Sequence, residues 1–388
     1  MAEREQRQIP FGRPWVTDDD RAAVLRVLDG PVLTHGPEGQ AFEAEFGDFL
    51  GGGAACVAVS SCMAALHMAC LHFGFRPGDE VIVPAQTHTA TVHAVAWTGA
   101  TPVFVDCDPA TGNVTADALD RAVTARTRGI VLVHFVGIPC DMPSIMRVAE
   151  RHHLRVVEDC ALALGARWGG RHVGLFGDAG CSSFYPVKHM TTAEGGMFVS
   201  RHREVAEAIG RLRAFGVDRT HDQRSLPGMY DVPELGLNYR MSELQAALGR
   251  SQLKRMPENL ERRRRNFERL QARLSGVPGV EVLDDDRPEV QSSHYCLTAV
   301  LGSALAGCRL EIVARLKAAG VGTSTYYPHP VPRLTYYRER YPYDPTRYAG
   351  AERISDSSVA LPVGPHVSAA DAEYVGEQFV AACQEVVA

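Results

Sequence analysis

The chain has 388 residues, more than one hydrophobic core usually supports, so about two domains are expected. Hydrophobic residues make up 45% of the chain and charged residues 22%, which are ordinary proportions for a soluble globular protein. The formal net charge of -6 gives no reason to expect a nucleic-acid partner, because such partners favour clustered basic surface.

The start of the chain and its cysteines indicate a cytoplasmic protein. Residues 1–9 are charged and polar, without the apolar core of a signal peptide, and no apolar run approaches the length of a membrane span. The ten cysteines are scattered, with no C-x-x-C pair. We therefore expect reduced, buried thiols, no metal site and no membrane partner.

Between about residues 54 and 200, short apolar runs alternate with helical patterns. The pattern predicts strands at Cys56–Val59, Glu80–Val83, Thr101–Val105, Ile130–Phe135, Leu154–Glu158, Cys181–Phe184 and Gly196–Ser200. It predicts helices at Met63–Phe73, Ala90–Thr98, Ala116–Ala122 and Met142–His152. Such alternation is typical of an α/β fold, with a mostly parallel sheet covered by helices on both faces.

The character of the sequence changes after Ser200. Residues 241–274 predict a long, charged helical region interrupted near Pro257, and residues 280–388 predict a smaller α/β domain. We therefore assign residues 1–250 to an N-terminal segment and a large domain, and residues 251–388 to a smaller C-terminal domain. Glutamates alternate with the arginine run at residues 262–265, which favours a solvated helix face.

Three segments carry residues suited to chemistry. Asp159 follows an apolar strand, and ligands of open α/β sheets bind at the carboxyl ends of strands. Lys188 follows another strand, in a polar turn that ends at residues 194–196. Residues 60–63 join a strand to an apolar helix, and the free N–H groups and dipole of that junction favour an anion.

The string S-F-Y-P-x-K-x-x-T-T-x-E-G-G, which runs from Ser183 to Gly196 around Lys188, resembles the lysine motif of the DegT/StrS family of sugar aminotransferases. With Glu158-Asp159 and the segments between, the resemblance covers nearly the whole chain. It implies the fold type I architecture of aminotransferases that depend on pyridoxal 5'-phosphate (PLP). That cofactor needs a lysine for its aldehyde, an acid at its ring nitrogen, donors for its phosphate and a surface for its ring.

By this resemblance, Lys188 and Asp159 are the catalytic residues and both bind PLP. Asp159 would keep the pyridine nitrogen protonated, and the freed amine of Lys188 would move protons. Ser183 and the backbone N–H groups of Cys62 and Met63 are expected to contact the phosphate. The family usually has Gly-Thr where this chain has Cys62-Met63, so a hydroxyl is lost there.

Two further residues are implied at the cofactor. His88 stands where the family commonly places an aromatic side chain against the ring, and an imidazole is flat enough to stack. The alternative is a histidine that only begins a helix. Asn238 matches a family segment that reaches the phosphate from the neighbouring subunit, which implies a homodimer with shared active sites.

Leu162 departs from the family pattern, which usually has Gln or His there, a polar group thought to contact the ring hydroxyl. Leucine cannot donate a hydrogen bond, so Gln86 is a candidate for that contact. Tyr326 and His329 lie in a segment that resembles the part of the small domain entering the site. They are candidates for substrate binding, with purely structural roles as the alternative.

The implied reaction transfers an amino group from L-glutamate or L-glutamine to a keto sugar, in particular a nucleotide-linked keto-deoxysugar. Three alternatives remain open: a sugar dehydratase on the same scaffold, an acceptor that is a keto-octulosonate or keto-cyclitol, and a non-catalytic regulatory protein. Lys188 argues against the dehydratase, whose best-known version has a histidine instead. A nicotinamide dehydrogenase is disfavoured because no G-x-G-x-x-G follows the first strand.

Overall fold

The computed structural model describes residues 7–218 and 229–387, so most of the polar N-terminal segment lies outside it. The strands are β1 (Ala55–Val59), β2 (Glu80–Pro84), β3 (Thr101–Val105), β4 (Thr127–Val133), β5 (Arg155–Asp159), β6 (Arg167–Trp168), β7 (Arg171–His172), β8 (Ala179–Ser183), β9 (Gly196–Ser200), β10 (Val280–Val282), β11 (Val290–Gln291), β12 (Leu297–Leu301) and β13 (Ser358–Leu361). The helices are α1 (Asp18–Leu28), α2 (Pro37–Leu50), α3 (Cys62–His72), α4 (Thr89–Ala96), α5 (Ala116–Ala122), α6 (Met142–His152), α7 (Arg203–Leu212), α8 (Glu243–Leu253), α9 (Met256–Leu274), α10 (Arg309–Ala318), α11 (Thr335–Arg338), α12 (Ala349–Ser357) and α13 (Ala369–Glu385).

A seven-stranded sheet forms the centre of the protein, with strand order β1-β9-β8-β5-β4-β2-β3. Strand β9 runs antiparallel to both of its neighbours, and the other adjacent strands pair in parallel. Every residue of β2 and β9 is buried. Continuous apolar strands of this kind are typical of a sheet covered on both faces. The predicted α/β class with a mostly parallel sheet is confirmed.

The predicted strands of this sheet all exist, with ends that differ by up to three residues. The largest shift is at β4, where the prediction of Ile130–Phe135 included residues beyond the strand. Phe135 begins a 3-10 turn instead, and its N–H donates to the side chain of Asn113 at 2.8 Å. Val136 in this turn has a φ of 46°, a strained value for a β-branched residue.

A second, antiparallel sheet has the strand order β10-β12-β13 and its own apolar core. Its core draws on α9, α10 and α13, and also on Ile9 near the start of the chain. The division at residue 250 stays a prediction. The helical region expected at residues 241–274 is two helices, and Pro257 lies in the first turn of α9, where its missing N–H is tolerated.

The arginine run in α9 is only partly a solvated face, which corrects the sequence interpretation. Arg262, Arg264 and Arg265 form ion pairs with glutamates of the same helix. Arg263 is 5% exposed and donates instead to the side chain of Asn259 and to a backbone carbonyl. The helical period explains the difference, because Arg263 falls on the inward stripe of α9 with Asn259, Phe267, Leu270 and Leu274.

The sequence interpretation did not include α1, α2 or the small sheet of order β11-β6-β7. Each strand of that small sheet has two residues, too few to show an alternating pattern. Eight of the ten cysteines are buried, as predicted, whereas Cys56 and Cys308 are partly exposed. Across the two described ranges, no helix combines the length and the apolar character that a membrane crossing requires.

We expect Gly196→Ala to lower the free energy of unfolding by about 1–3 kcal/mol, because a Cβ there would overpack the junction between β9 and α3. That atom would lie 2.5 Å from the carbonyl carbon of Ser61 and 2.6 Å from the backbone nitrogen of Cys62. Urea denaturation measures the change. Gly210 in α7 is the matched control, since its added Cβ would meet no atom within 4 Å. Gly210→Ala should stabilise the protein by about 0.5–1 kcal/mol, and equal effects of the two substitutions would contradict the prediction.

Candidate active site

The sequence-predicted catalytic residues meet at one edge of the central sheet. Asp159 is the last residue of β5 and is 3% exposed. Lys188 lies in the turn that follows the neighbouring strand β8, where its N–H donates to the carbonyl of Tyr185 at 2.9 Å. A second hydrogen bond of 2.9 Å, from the N–H of Thr192 to the carbonyl of Phe184, closes this turn. Because β5 and β8 run parallel, both strands end at the same edge of the sheet, and Asp159 and the turn that carries Lys188 lie there.

Asp159 is held by neutral donors. The hydroxyl of Thr91 donates to Oδ2 at 2.8 Å, and the N–H of Ala161 donates to Oδ1 at 3.0 Å. The thiol sulfur of Cys62 lies 3.8 Å from Oδ1. Within residues 7–218 and 229–387, no lysine, arginine or histidine forms an ion pair with this carboxylate. A buried carboxylate without a cation is suited to a positively charged group of a ligand.

The amine of Lys188 is desolvated. Its Nζ lies 5.4 Å from the ring centroid of Tyr295. Burial lowers the pKa of the Lys188 amine below its ordinary value, although the nearby Cys62 and Asp159 favour the charged form. A lower pKa increases the neutral fraction of the amine, which is the nucleophilic and basic form.

The start of α3 offers two free backbone donors. The hydroxyl of Ser61 accepts from the N–H of Ala64 at 3.1 Å, and the carbonyl of Ser61 accepts from the N–H of Ala65 at 3.2 Å. The first-turn N–H groups of Cys62 and Met63 have no acceptor in the helix, and none is found elsewhere in the described residues. The predicted anion site thus has the donors it needs, and a ligand contact there stays a prediction.

Ser183 ends β8 on the same edge of the sheet. Its hydroxyl oxygen accepts from the N–H of Tyr185 at 3.4 Å, a long bond that leaves the hydroxyl hydrogen available. Its role at a phosphate stays a prediction.

His88 begins a helix, which is one of the two interpretations that the sequence left open. It is the N-cap of α4, and its Nδ1 accepts from the N–H of Ala90 at 3.1 Å. Its ring also packs against Tyr327, with centroids 5.5 Å apart. Desolvation lowers the pKa of the His88 imidazole, and the charge of Lys188 lowers it further. The stacking of this flat ring on a cofactor stays a prediction.

Asn238 is exposed, and its backbone pairs with Ala214. In the described part of the chain, no hydrogen bond joins its side chain to Asp159, Lys188 or the start of α3. If Asn238 contacts the phosphate in the neighbouring subunit, its side chain must be exposed and must lie outside the site of its own subunit.

The proposal that Gln86 replaces the polar group missing at Leu162 is not supported by the structure. The Nε2 of Gln86 donates to the carbonyl of Tyr326 at 2.9 Å, and its Oε1 accepts from the hydroxyl of Ser355 at 3.0 Å. The side chain therefore ties the segment after β2 to Tyr326 and to the end of α12. Leu162 itself is buried in the apolar core.

The two candidate substrate residues differ in exposure. Tyr326 is buried, and its hydroxyl oxygen lies 2.8 Å from that of Tyr295, so the structural alternative describes it better. His329 is exposed, and its Nδ1 accepts from Arg333 at 2.7 Å. Its contact with a substrate stays a prediction.

Tyr327 belongs to the site but was not singled out from the sequence. Its ring contacts His88 and Phe135, with centroid distances of 5.5 and 6.3 Å. Burial raises the pKa of Tyr327, and the charge of Asp159 adds to the effect. Tyr327 lies outside the strands and helices, and its ring contacts that of Tyr326 with centroids 5.2 Å apart, so no periodic pattern in the sequence marked it.

A buried network behind Asp159 was also missed. Glu158 is fully buried and accepts from Nε2 of His134 at 3.0 Å and from the N–H groups of Gly174, Phe176 and Gly177 at 2.6–2.8 Å. The Nδ1 of His134 accepts from the N–H of Cys140 at 3.0 Å, so Nε2 carries the hydrogen. Burial opposes ionisation, but these hydrogen bonds, that of His134 first, hold the pKa of Glu158 below its ordinary value.

The side chains of His134, Glu158 and Cys160 are close enough to one another to hold a metal ion. Both ring nitrogens of His134 are already engaged, so this histidine has no free lone pair for a metal. The network instead fixes the end of β5.

Comparison with known proteins identifies relatives over almost the full length. The model of the DegT/DnrJ/EryC1/StrS aminotransferase family matches residues 14–380. The spore coat polysaccharide biosynthesis protein SpsC of Bacillus subtilis (strain 168) is 36% identical over 384 residues, which cover 97% of this chain and 97% of SpsC.

Solved structures agree with the fold. The aminotransferase TlmJ of Streptoalloteichus hindustanus has a TM-score of 0.90 and 31% identity, over 98% of this chain and 100% of TlmJ. Spr1654 of Streptococcus pneumoniae, named as a candidate sugar aminotransferase and solved in its PLP form, has a TM-score of 0.91 and 28% identity, over 98% of this chain and 100% of that one.

The residues at the site fit PLP. The desolvated amine of Lys188 suits an aldehyde, and the unpaired carboxylate of Asp159 suits a protonated ring nitrogen. The free N–H groups of Cys62 and Met63 suit a phosphate.

We expect Glu158→Gln to lower the free energy of unfolding by about 3 kcal/mol near neutral pH, because the amide cannot accept all the hydrogen bonds of the carboxylate. The lowered pKa of Glu158 means that its contribution is present above the ordinary value of 4.5 and is lost as the pH falls through the folded value. Urea denaturation at several pH values should show the two proteins converging in acid. Glu281→Gln, which removes the exposed ion pair with Arg353, should change stability little. A constant difference at every pH would contradict the assignment.

Proposed function

We propose, from the premise that this chain belongs to the DegT/DnrJ/EryC1/StrS aminotransferase family, that it transfers an amino group from L-glutamate or L-glutamine to a nucleotide-linked keto-deoxysugar. The chain is a PLP-dependent sugar aminotransferase, and the donor, the nucleotide and the deoxysugar are the proposed details. The observation that carries the proposal is the desolvated amine of Lys188 beside the unpaired carboxylate of Asp159.

The nucleotide link is supported by chemistry and by one relative. SpsC is named for polysaccharide biosynthesis. Sugars destined for a polysaccharide need a good leaving group at the anomeric carbon, and a nucleoside diphosphate provides one. We therefore propose that the acceptor of this chain is a nucleotide-linked sugar.

When bound, PLP supplies an aldehyde that takes up the amino group and a ring that accepts electrons as a C–H bond breaks. Asp159 would hold the proton on the ring nitrogen. Ser183 and the N–H groups of Cys62 and Met63 would hold the phosphate, and His88 would lie against the ring. These side chains and donors fix the position of the reacting atoms.

Lys188 would carry the proton transfers. Its lowered pKa favours a neutral amine that takes the proton from the amino-bearing carbon of the donor. In the second half-reaction the same amine would return a proton to the carbon of the sugar that receives the nitrogen. One side chain therefore serves both halves of the reaction.

The dehydratase alternative is disfavoured by the position of His189. This histidine is buried, and its Nε2 donates to the carbonyl of Ser293 at 3.0 Å. Burial lowers the pKa of His189 well below its ordinary value, and the charge of Arg263 adds to the effect. His189 is thus a neutral structural residue beside a functional lysine.

We also propose a homodimer in which Asn238 of each subunit reaches the phosphate of the other. The support is that Asn238 is exposed and that, in the described residues, its side chain forms no hydrogen bond with Asp159, Lys188 or the start of α3 of its own subunit.

The chain has three lysines, Lys188, Lys254 and Lys317, which allows a sharp test of the reacting amine. Borohydride reduction of the PLP-loaded protein should attach the cofactor to Lys188, as peptide mass mapping would show. L-glutamate or L-glutamine should bleach the visible absorbance of the loaded protein, and Lys188→Ala should slow turnover by at least about 1000-fold.

Lys254→Ala and Lys317→Ala are the controls, because both side chains are exposed. Both variants should keep the label and the activity. A label on either of these lysines, or undiminished turnover by Lys188→Ala, would overturn the proposal.

Shared sites predict that two inactive variants restore each other. Lys188→Ala and Asn238→Asp should each be inactive alone, the second because a carboxylate repels the phosphate. Subunits mixed after reversible dissociation should regain about one quarter of the wild-type activity, since half of the dimers are mixed and each has one intact site. No recovery, with mixed dimers shown to form by native mass spectrometry, would place Asn238 outside the neighbouring site.

A further inference from the structure

Two hydroxyl groups form a chain that ends on Asp159. Thr91 in α4 donates to Oδ2 of Asp159 at 2.8 Å, and the hydroxyl oxygens of Thr87 and Thr91 lie 2.7 Å apart. All three residues are buried. Because the single hydroxyl hydrogen of Thr91 goes to Asp159, the hydrogen between the two threonines belongs to Thr87. The order of donation is therefore fixed from Thr87 to Thr91 to Asp159.

Thr91 is the main side-chain donor to this carboxylate. The N–H of Ala161 serves the other oxygen, Oδ1. The thiol of Cys62 is nearer to the carbonyl of Cys181, at 3.4 Å, than to Oδ1, at 3.8 Å, and a thiol is a weak donor. In the described residues Oδ2 accepts only from Thr91. Hydrogen bonds to a charged acceptor are stronger than those between neutral groups, so this one has a large effect on the carboxylate.

The position of Thr91 in its helix is unusual for a hydroxyl residue. A threonine inside a helix commonly turns its hydroxyl back to the carbonyl of the preceding turn. Thr91 instead contacts the side chain of Thr87, four residues earlier, and the acid on β5. The hydroxyl of Thr91 therefore donates its hydrogen bond to Asp159 and not to a carbonyl of its own helix.

We propose that Thr91 is a positioning residue of the transamination, which sets the direction in which Asp159 presents its carboxylate to the ring nitrogen. Thr87 holds the hydroxyl of Thr91 in the rotamer that this requires. The inference rests on the role proposed above for Asp159. It links the start of α4, where His88 lies against the ring, to the acid at the end of β5.

The test uses Thr91→Val, which keeps the shape of the side chain and removes its hydroxyl, and Thr91→Ser, which restores the hydroxyl. In Thr91→Val we expect the dissociation constant for PLP to rise about tenfold and the absorbance maximum of the bound cofactor to shift. The rate of bleaching at saturating L-glutamate should fall about tenfold, while the glutamate concentration for half-saturation changes less than about twofold. Thr91→Ser should restore all three quantities to within about threefold.

Thr87→Val should move the same quantities in the same direction by a smaller factor, because Thr87 acts only through Thr91. Thr98→Val is the matched control, since the hydroxyl of Thr98 bonds to the carbonyl of Val95 just beyond the other end of α4. It should leave the cofactor unaffected. Thermal melting of the apoprotein shows whether Thr91→Val folds. If it does not, Thr87→Val becomes the test variant. An unchanged absorbance spectrum and an unchanged affinity for PLP in Thr87→Val would then overturn the inference.

Asp159→Asn separates this inference from the function on which it rests. A changed spectrum and affinity in Asp159→Asn, with Thr91→Val equal to wild type, would overturn the role of Thr91 alone. An unchanged spectrum and affinity in Asp159→Asn would overturn the role of Asp159 itself. Equal defects in Thr91→Val and Thr91→Ser would assign Thr91 a packing role and also overturn the inference.

Discussion

The site depends on the opposite directions in which two adjacent carboxylates point at the end of β5. Successive side chains of a strand point to opposite faces of the sheet, so Glu158 and Asp159 enter different surroundings. Glu158 meets His134 and three backbone N–H groups, which satisfy it completely. Asp159 meets hydroxyl, amide and thiol groups and, in the described ranges of the chain, forms no ion pair. The first carboxylate fixes the strand, and the second is left to bind a ligand.

The other parts of the site are placed by close packing around this strand end. Gly196 lets β9 approach the Ser61-Cys62 peptide, which positions the free N–H groups of α3. The turn after β8 carries Lys188 to a position beside Tyr295, which lies just before β12. The acid and the anion donors come from the central sheet and its helices, whereas the wall against the amine comes from the later part of the chain.

The sequence predicted the strands of the sheet better than it predicted the hydrogen-bond partners and the burial of individual side chains. Strand existence followed from apolar runs. Asp159 was found from its place at the carboxyl end of a strand, and Lys188 from the resemblance of the segment around it to the lysine motif of the DegT/StrS family. Gln86 was misassigned because a sequence does not show that its amide is already bonded to Tyr326 and Ser355. Arg263 was predicted to be exposed because the four consecutive arginines were interpreted together. Only the helical period distinguishes Arg263, which falls on the inward stripe of α9. Short strands such as β6 and β7 left no periodic signal, since they form only through pairing with each other and with distant β11.

The tie made by Gln86 has a consequence for the order in which the protein folds. Its two partners are separated from it by 240 and 269 residues along the chain. Closing loops of that length carries a large entropic cost, and contacts that require it form after local helices and neighbouring strands. The contacts of Gln86 are therefore completed late, and a newly synthesised chain must reach residue 355 before the segment after β2 finds both of its partners.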